Sequence, residues 1–237
     1  MKRLTPAIAD ALARKFRIEN GLSIMEAINL KSLLRKLNIL TVFRPLSDTF
    51  HGMSLQSAAG LKFMLINSNN SKGRQHFTIG HELYHLFFDE DPSPHVCKQG
   101  GDEKNIQEIN ADIFAAALLM PEDGLREFIS IEEIKSSQIR LSTVIKMEQY
   151  FTVSRAALLV RLRSCKLINA ADYTRLQSFS VIESAKEYGY DTSLYRSGNE
   201  GLVIGDYGEK ARELYEKEVI SEGHYRELLN LISNDKN

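Results

Sequence analysis

This 237-residue chain has few cysteines, almost no net charge and no long apolar run near its beginning. Each of these features argues against one class of protein. The two cysteines, Cys97 and Cys165, cannot build a disulfide framework, so we expect free thiols and a reducing compartment. A formal charge of -1 gives no global electrostatic reason to expect binding to nucleic acid or anionic membranes. Asp10, Arg14 and Lys15 interrupt the first apolar stretch, which argues against a secretory signal or membrane span. We therefore expect a cytoplasmic protein with no membrane partner.

The most informative segment is HFTIGHELYHLFF, which contains an HExxH pentapeptide formed by His81, Glu82 and His85. Two histidines four residues apart lie one turn apart on one face of an α-helix, so both imidazoles can reach a single Zn²⁺. The intervening glutamate can then contact a water molecule beside the metal. The alternative is a surface helix that carries two histidines by chance. We favour the metal site, because burial alone gives no reason for a glutamate between them.

A catalytic zinc ion normally has three protein ligands and one open position, so a third ligand must come from elsewhere. Residues 108–121, EINADIFAAALLMP, are predicted to form a helix that ends at Pro121. Glu108 and Asp112 share one stripe of that helix. We therefore predict Glu108 as the third ligand and Asp112 as an acceptor for the other ring nitrogen of His81 or His85. The alternative is that both acids are ordinary surface residues of the helix.

Two strings, RQHFTIGHELYHLFF and EINADIFAAALLMP, resemble motifs of the ImmA/IrrE family of metallopeptidases. The usual family pattern is R-x-x-F-T-x-x-H-E-x-x-H followed by E-x-x-A-x-x-F-A-x-x-L-L-M-P. The resemblance continues through residues 139–163 and the helical tail and is weakest over residues 164–205.

The resemblance implies a zincin-like fold, a metal held by His81, His85 and Glu108, and Glu82 as the base. It also implies a partner, since such peptidases typically cut or otherwise inactivate a repressor of the helix-turn-helix class. The family often has asparagine at the position of Asp112, so the orienting role of Asp112 is our own inference.

The fold class predicted from the sequence is α+β and helix-rich, with a zincin-like core, a small β-sheet and an additional C-terminal helical region. We place the metallopeptidase domain at residues 1–130 and the helical region at residues 131–237, with the two packed as one unit as an alternative. A hydrophobic content of 43% is ample for a core in either case. Predicted helices cover residues 6–18, capped by Thr5, and residues 25–37.

Strands are predicted over residues 38–45 and 61–68, with a further short strand near residues 53–56. We expect the strand near residues 62–67 to lie beside the substrate groove, where an exposed edge could align an extended peptide. The alternative is that this strand lies in the interior of the sheet. Residues 89–105 are predicted to form a mobile loop between the two helices of the site.

Four other residues invite a role in the site. His95 and Cys97 lack a plausible pair of further ligands, so we do not assign them to a metal. His51 and His76 are interpreted as surface or packing residues, with a role as donors in the cleft as the alternative.

Residues 139–163 are predicted to form two helices joined by a turn near Phe151. With Arg155, Arg161 and Arg163 on the second helix, the pair could be a DNA-binding helix-turn-helix. We favour plain packing along a seam of apolar residues, with recognition of a partner protein as a further option for this surface.

The predicted function is hydrolysis of a peptide bond by a zinc-dependent metalloprotease, with Mn²⁺ or Fe²⁺ as alternative metals. Glu82 would act as general base, and Tyr84 is a candidate contact to the substrate or the oxyanion. The expected substrate is a helix-turn-helix repressor or an antitoxin, which connects the activity to transcription regulation, stress response or toxin–antitoxin control. A metal-stabilised module that sequesters the repressor without cleaving it is the alternative. Direct DNA binding is the least favoured hypothesis.

Overall fold

The computed structural model describes residues 2–89, 95–98, 105–136 and 138–232, excluding the side chains of residues 95–98 and 231–232. In these ranges the chain folds as one five-stranded mixed sheet together with twelve α-helices. The predicted helix-rich α+β class with a small sheet is confirmed.

The first half of the chain contains the whole sheet except its last strand. Its elements are α1 (Pro6–Glu19), α2 (Leu30–Lys36), β1 (Ile39–Arg44), β2 (Phe50–Gln56), β3 (Lys62–Asn67), α3 (Lys72–Phe88), β4 (His95–Lys98) and α4 (Ile106–Leu119).

The second half is almost entirely helical. Its elements are α5 (Glu122–Arg126), α6 (Ile131–Ser136), α7 (Leu141–Phe151), α8 (Arg155–Ser164), α9 (Ala170–Gln177), α10 (Val181–Glu187), a 3₁₀ turn (Ser193–Tyr195), β5 (Val203–Ile204), α11 (Tyr207–Glu216) and α12 (Glu222–Ile232).

The sheet has the strand order β4-β2-β3-β1-β5. Strands β1 and β3 are parallel, and the other neighbouring pairs are antiparallel. Because β3 is hydrogen-bonded to β1 on one side and β2 on the other, the prediction that it offers an exposed edge is wrong. Its apolar composition explains the interior position, since Met64 and Ile66 are fully buried.

The N-terminal helix agrees with its prediction. The Thr5 side chain accepts a hydrogen bond from the backbone N–H of Ile8 at 3.3 Å, and Pro6 occupies the first turn. Ala9, Ala13 and Phe16 form the buried stripe that packs into the core.

The second helix begins at Leu30, five residues later than predicted, with Asn29 as its cap. Backbone oxygens before this start accept hydrogen bonds from a side chain and not from the N–H groups of a helix. The guanidinium of Arg17 donates to the backbone oxygens of Ser23 at 2.5 Å and Glu26 at 2.9 Å. Those bonds satisfy the backbone in an irregular path, which apolar periodicity alone does not reveal.

A strand lies within the segment predicted to be a loop. Strand β4 pairs with β2 at the edge of the sheet. Four residues are too few to show a period of two in the sequence, and the pairing partner is supplied by β2. The remaining predictions for this segment, including the side chains of His95 and Cys97, lie outside the described residues.

Residues 164–205, where the family resemblance is weakest, contribute to the sheet. Thr41 and Val42 of β1 pair with Ile204 and Val203 of β5. Strands from both sides of the predicted boundary at residue 130 therefore share one sheet. The division into two domains stays a prediction.

The α7–α8 pair has the predicted helix–turn–helix form, with Thr152 in the left-handed conformation at the turn. Arg155 is 3% exposed and donates to the carboxylate of the fully buried Glu148 at 2.5 Å. Arg161 is 1% exposed, and its guanidinium contacts Asp10 and the backbone oxygen of Met120. These arginines are engaged inside the fold, which favours the packing interpretation over DNA binding.

In the described part of the chain, no helix combines the length and apolarity needed to cross a membrane.

We expect Arg155→Leu to lower the free energy of unfolding by about 3–5 kcal/mol, because it leaves the buried carboxylate of Glu148 without its cation. Urea denaturation followed by circular dichroism measures the change. The double variant Glu148→Leu with Arg155→Leu should recover part of the loss, since no buried charge then remains. Arg163→Leu, on the exposed face of α8, should stay within about 0.5 kcal/mol of the parent. An Arg155→Leu variant as stable as the parent would contradict this account.

Candidate metal centre

His81 and His85 lie one turn apart on α3 and are 2% and 8% exposed. Their Nε2 atoms are 3.1 Å apart. Two buried imidazoles that point their nitrogens at each other need either a shared proton or a shared cation.

Glu108 comes from the first turn of α4 and joins the two histidines. Its Oε2 lies 3.3 Å from Nε2 of His81, and its Oε1 lies 3.4 Å from Nε2 of His85. Ligand atoms of these three residues all lie within 4.8 Å of one another. The helices approach closely because α3 has Gly80 where a Cβ would lie 3.3 Å from the Cβ of Ala115.

The geometry can be compared with a tetrahedral metal site. Metal–ligand bonds of about 2.0–2.1 Å in tetrahedral geometry separate neighbouring ligand atoms by about 3.3–3.4 Å. The two Nε2 atoms here are 3.1 Å apart, and each has its own nearest oxygen of Glu108, Oε2 at 3.3 Å from His81 and Oε1 at 3.4 Å from His85. Two imidazoles and a carboxylate are also an ordinary donor set for zinc and related divalent metals. The residues present therefore fit a bound divalent metal with three protein ligands.

Asp112 lies one turn after Glu108, and its Oδ1 is 3.0 Å from Nδ1 of His81. A carboxylate only accepts hydrogen bonds, so Nδ1 of His81 carries the proton and its Nε2 presents a lone pair. The sequence predicts a contact of Asp112 with either His81 or His85 and does not choose between them. An orienting role for Asp112 stays a prediction.

A matching contact at His85 is not among the sequence predictions. Asp89 caps the C-terminal end of α3, and its Oδ2 lies 2.5 Å from Nδ1 of His85. The Asp89 side chain is 4% exposed. The sequence does carry a signal, because Asp89 follows His85 by one helical turn. Both histidines thus have a carboxylate at the nitrogen that faces away from the cluster.

Glu82 is fully buried and points toward the sheet. The hydroxyl of Ser54, on β2, donates to its Oε2 at 2.7 Å. The helix can approach β2 at this point because a Cβ on Gly52 would lie only 2.5 Å from a methyl carbon of Thr78. Ser54 was not predicted, since 28 residues separate the pair and no local pattern connects them.

The ring of Tyr84 packs beside the cluster of ligands. Its ring is 3% exposed and packs among the rings of Phe88 and Phe114. The ring centroid is 5.8 Å from that of His85. A contact between Tyr84 and substrate stays a prediction.

The two histidines left open by the sequence have partners within the fold. His51 lies on β2, and its Nε2 accepts from Arg74 at 2.8 Å. Burial lowers the pKa of His51, and the charge of Arg74 lowers it further. His76 contacts the backbone oxygen of Thr152 at 2.8 Å, at the turn between α7 and α8.

A His–His–Glu cluster with a buried glutamate between the histidines is the site of the HExxH class of metallopeptidases. Residues 34–163, more than half of the chain, match the family model Peptidase_M78, described as an IrrE N-terminal-like domain. The chain therefore belongs to this family, and the resemblance noted from its motifs is confirmed. The match includes β1 to β3, both helices of the metal centre and the α7–α8 pair. No curated protein matches the chain.

We expect Asp112→Asn and Asp89→Asn each to weaken zinc affinity by about 10–100-fold, because carboxylates at the outer nitrogens hold the imidazoles in place. Competition with a chromophoric chelator measures the affinity without reference to activity. Asp206→Asn, which removes a half-exposed acid paired with Lys210, serves as the control. Affinities equal to the parent in both variants would show that the two carboxylates do not support the ligands.

Proposed function

We propose that the protein is a zinc-dependent peptidase that hydrolyses a peptide bond in a specific regulatory partner, a helix-turn-helix repressor or an antitoxin. The observation that carries the proposal is the convergence of His81, His85 and Glu108 beside the buried Glu82. Membership of the Peptidase_M78 family supports the reaction class. The substrate class follows from the resemblance to ImmA/IrrE metallopeptidases, and a repressor as substrate would place the activity in the cytoplasm.

The three ligands would hold zinc through two Nε2 atoms and a carboxylate. When bound, zinc acts as a Lewis acid that polarises the scissile carbonyl and lowers the pKa of a water molecule. Mn²⁺ or Fe²⁺ could occupy the same donor set where availability favours them.

Glu82 is assigned the role of general base. Its carboxylate takes a proton from the attacking water and then returns it to the leaving amine. The hydrogen bond from Ser54 fixes one carboxylate oxygen and thereby sets the direction in which the group faces. A deeply buried glutamate with an orienting donor is useful for proton transfer, whereas a module that only binds a repressor does not need one.

Glu82→Gln separates cleavage from sequestration. The substitution keeps the shape and the acceptor for Ser54 but removes the base, so we expect peptide hydrolysis to fall by about 10²–10⁴-fold. The zinc content of the purified protein should not change, because Glu82 is not a ligand. The measurement is identification of new N-termini in cytoplasmic proteins after incubation with the zinc-loaded parent or the variant.

Glu132→Gln on the exposed face of α6 is the matched control and should cleave like the parent. The Glu82→Gln protein should retain the uncleaved partner during purification. If the variant inactivates a repressor as well as the parent does, and no new N-termini appear, the sequestering function replaces the enzymatic one.

A further inference from the structure

An apolar groove with a volume of about 1110 Å³ borders the metal centre on the side of Asp112. We call it the α8 groove. Its walls come from residues 3–6, the first half of α3, the middle of α4 and one face of α8. The apolar side chains that line it include Leu4, Phe77, Ile113, Ala116, Ala157 and Val160.

The groove is continuous with the metal centre through one shared side chain. Asp112 lines the groove, and its Oδ1 lies 3.0 Å from Nδ1 of His81. On α3, Phe77 and Arg74 precede His81 by four and seven residues, so they lie along the same face of the helix. A chain in the groove would therefore lie against the face of α3 that carries the metal ligands.

The charge of the groove is positive. Arg3 and Arg74 line it and are exposed, and neither has an acidic partner among the described residues. Arg74 donates instead to the imidazole of His51. The other two charged residues of the groove already have partners within the fold. Arg161 pairs with Asp10, and Asp112 contacts His81.

Where α8 lines the groove, no described residue covers its apolar surface. Val160 is 56% exposed, although Leu158, Leu159 and Leu162 of the same helix are fully buried. The groove is larger than the roughly 300–1,000 Å³ of a small-molecule pocket, so it has room for a chain segment with several side chains.

We infer that the α8 groove binds a segment of the substrate protein that carries apolar side chains together with acidic ones. The apolar side chains would cover Val160, Phe77 and Ile113, and the acidic ones would pair with Arg3 and Arg74. This inference rests on the proposed function, because it assigns the occupant to the protein that the metal centre cleaves. The groove would then select which segment reaches the metal.

The test measures peptide binding to the zinc-loaded Glu82→Gln full chain, in which bound peptide is not consumed. The probes are pools of short fluorescein-labelled peptides in which Leu, Ile and Phe alternate with Asp and Glu. Matched pools replace the acids with Lys and Arg, or with Ser. We expect the acidic pool to bind about tenfold more tightly than the basic pool, with a preference that weakens as salt is added.

Val160→Asp tests the location. A carboxylate on the apolar wall should weaken binding of the acidic pool by about tenfold through desolvation and repulsion. Ile134→Asp introduces the same charge at a 63% exposed position on α6 and should leave binding unchanged. Zinc affinity and the thermal midpoint check that both variants remain folded.

A double variant, Arg3→Ser with Arg74→Ser, tests the charge. It should remove the preference for acidic over basic peptides while the Ser pool still binds. The control is Arg35→Ser with Arg140→Ser, which removes two exposed arginines outside the groove and should keep the preference.

Equal binding of the three pools, or binding that Val160→Asp does not change, would overturn the inference. It also fails if Val160→Asp dissociates a dimer in sedimentation experiments, because the occupant would then be a second copy of the chain.

The proposed function fails separately. In that case the pools bind as expected, but the zinc-loaded parent produces no new N-termini in any peptide or protein. Cleavage that persists undiminished in Val160→Asp would support the proposed function and would show that the α8 groove does not select the substrate.

Discussion

The close contact of α3 with α4 is the constraint on which the rest of the site depends. Two imidazoles and a carboxylate come within 3.4 Å of one another only because Gly80 faces Ala115 where the helices meet. A larger residue at either position would move Glu108 away from the histidines. The ligands are polar and mostly buried, so their arrangement is unfavourable unless a cation or protons compensate for it. The packing of two helices therefore decides whether the chain has a metal centre.

The position of α3 is also fixed from the sides that do not meet α4. On one side, β2 contacts it through Gly52 and through the bond from Ser54 to Glu82. On another, the side chain of Gln75 bonds to Asn199 and to the backbone oxygen of Gly198. That last contact comes from the same C-terminal segment that adds β5 to the sheet. Residues far beyond the HExxH motif thus hold the helix that carries it.

The sequence predicts what depends on local periodicity and on known spacing. The ligand positions of His81, His85 and Glu108 follow from helical spacing and from the need for a third ligand, and their side chains do converge. The same helical geometry places Asp112 near one of the two histidines, and the structure shows that this histidine is His81. These features can be read because each involves residues three to seven apart on one helix, or one pairing of two such helices.

The features that were missed depend on contacts between distant parts of the chain. The sequence favours an edge position for β3 because the strand directly precedes the HExxH helix, where an exposed edge could align a substrate. Only the fold shows that the alternative holds and that β3 lies between β1 and β2. The late start of α2 depends on the side chain of Arg17, which takes the carbonyls of a preceding turn. Ser54 reaches Glu82 across the gap between sheet and helix. Such contacts follow from tertiary packing, which has no period in the sequence.

The two faces of α8 show how a helix-turn-helix shape can serve a peptidase. Its inner face carries Arg155 and Arg161, and both guanidiniums are used to neutralise acids within the fold. Arg155 cannot also read a DNA backbone, because withdrawing it would leave the carboxylate of Glu148 buried and uncompensated, and Arg161 is itself buried within the fold. The outer face carries the exposed Val160 and borders the same groove as Asp112. Since Asp112 lines the groove and contacts His81, a chain in the groove that reaches Asp112 would be separated from a metal ligand by one side chain. The helix is therefore better suited to present a protein segment to the metal centre than to enter a DNA groove.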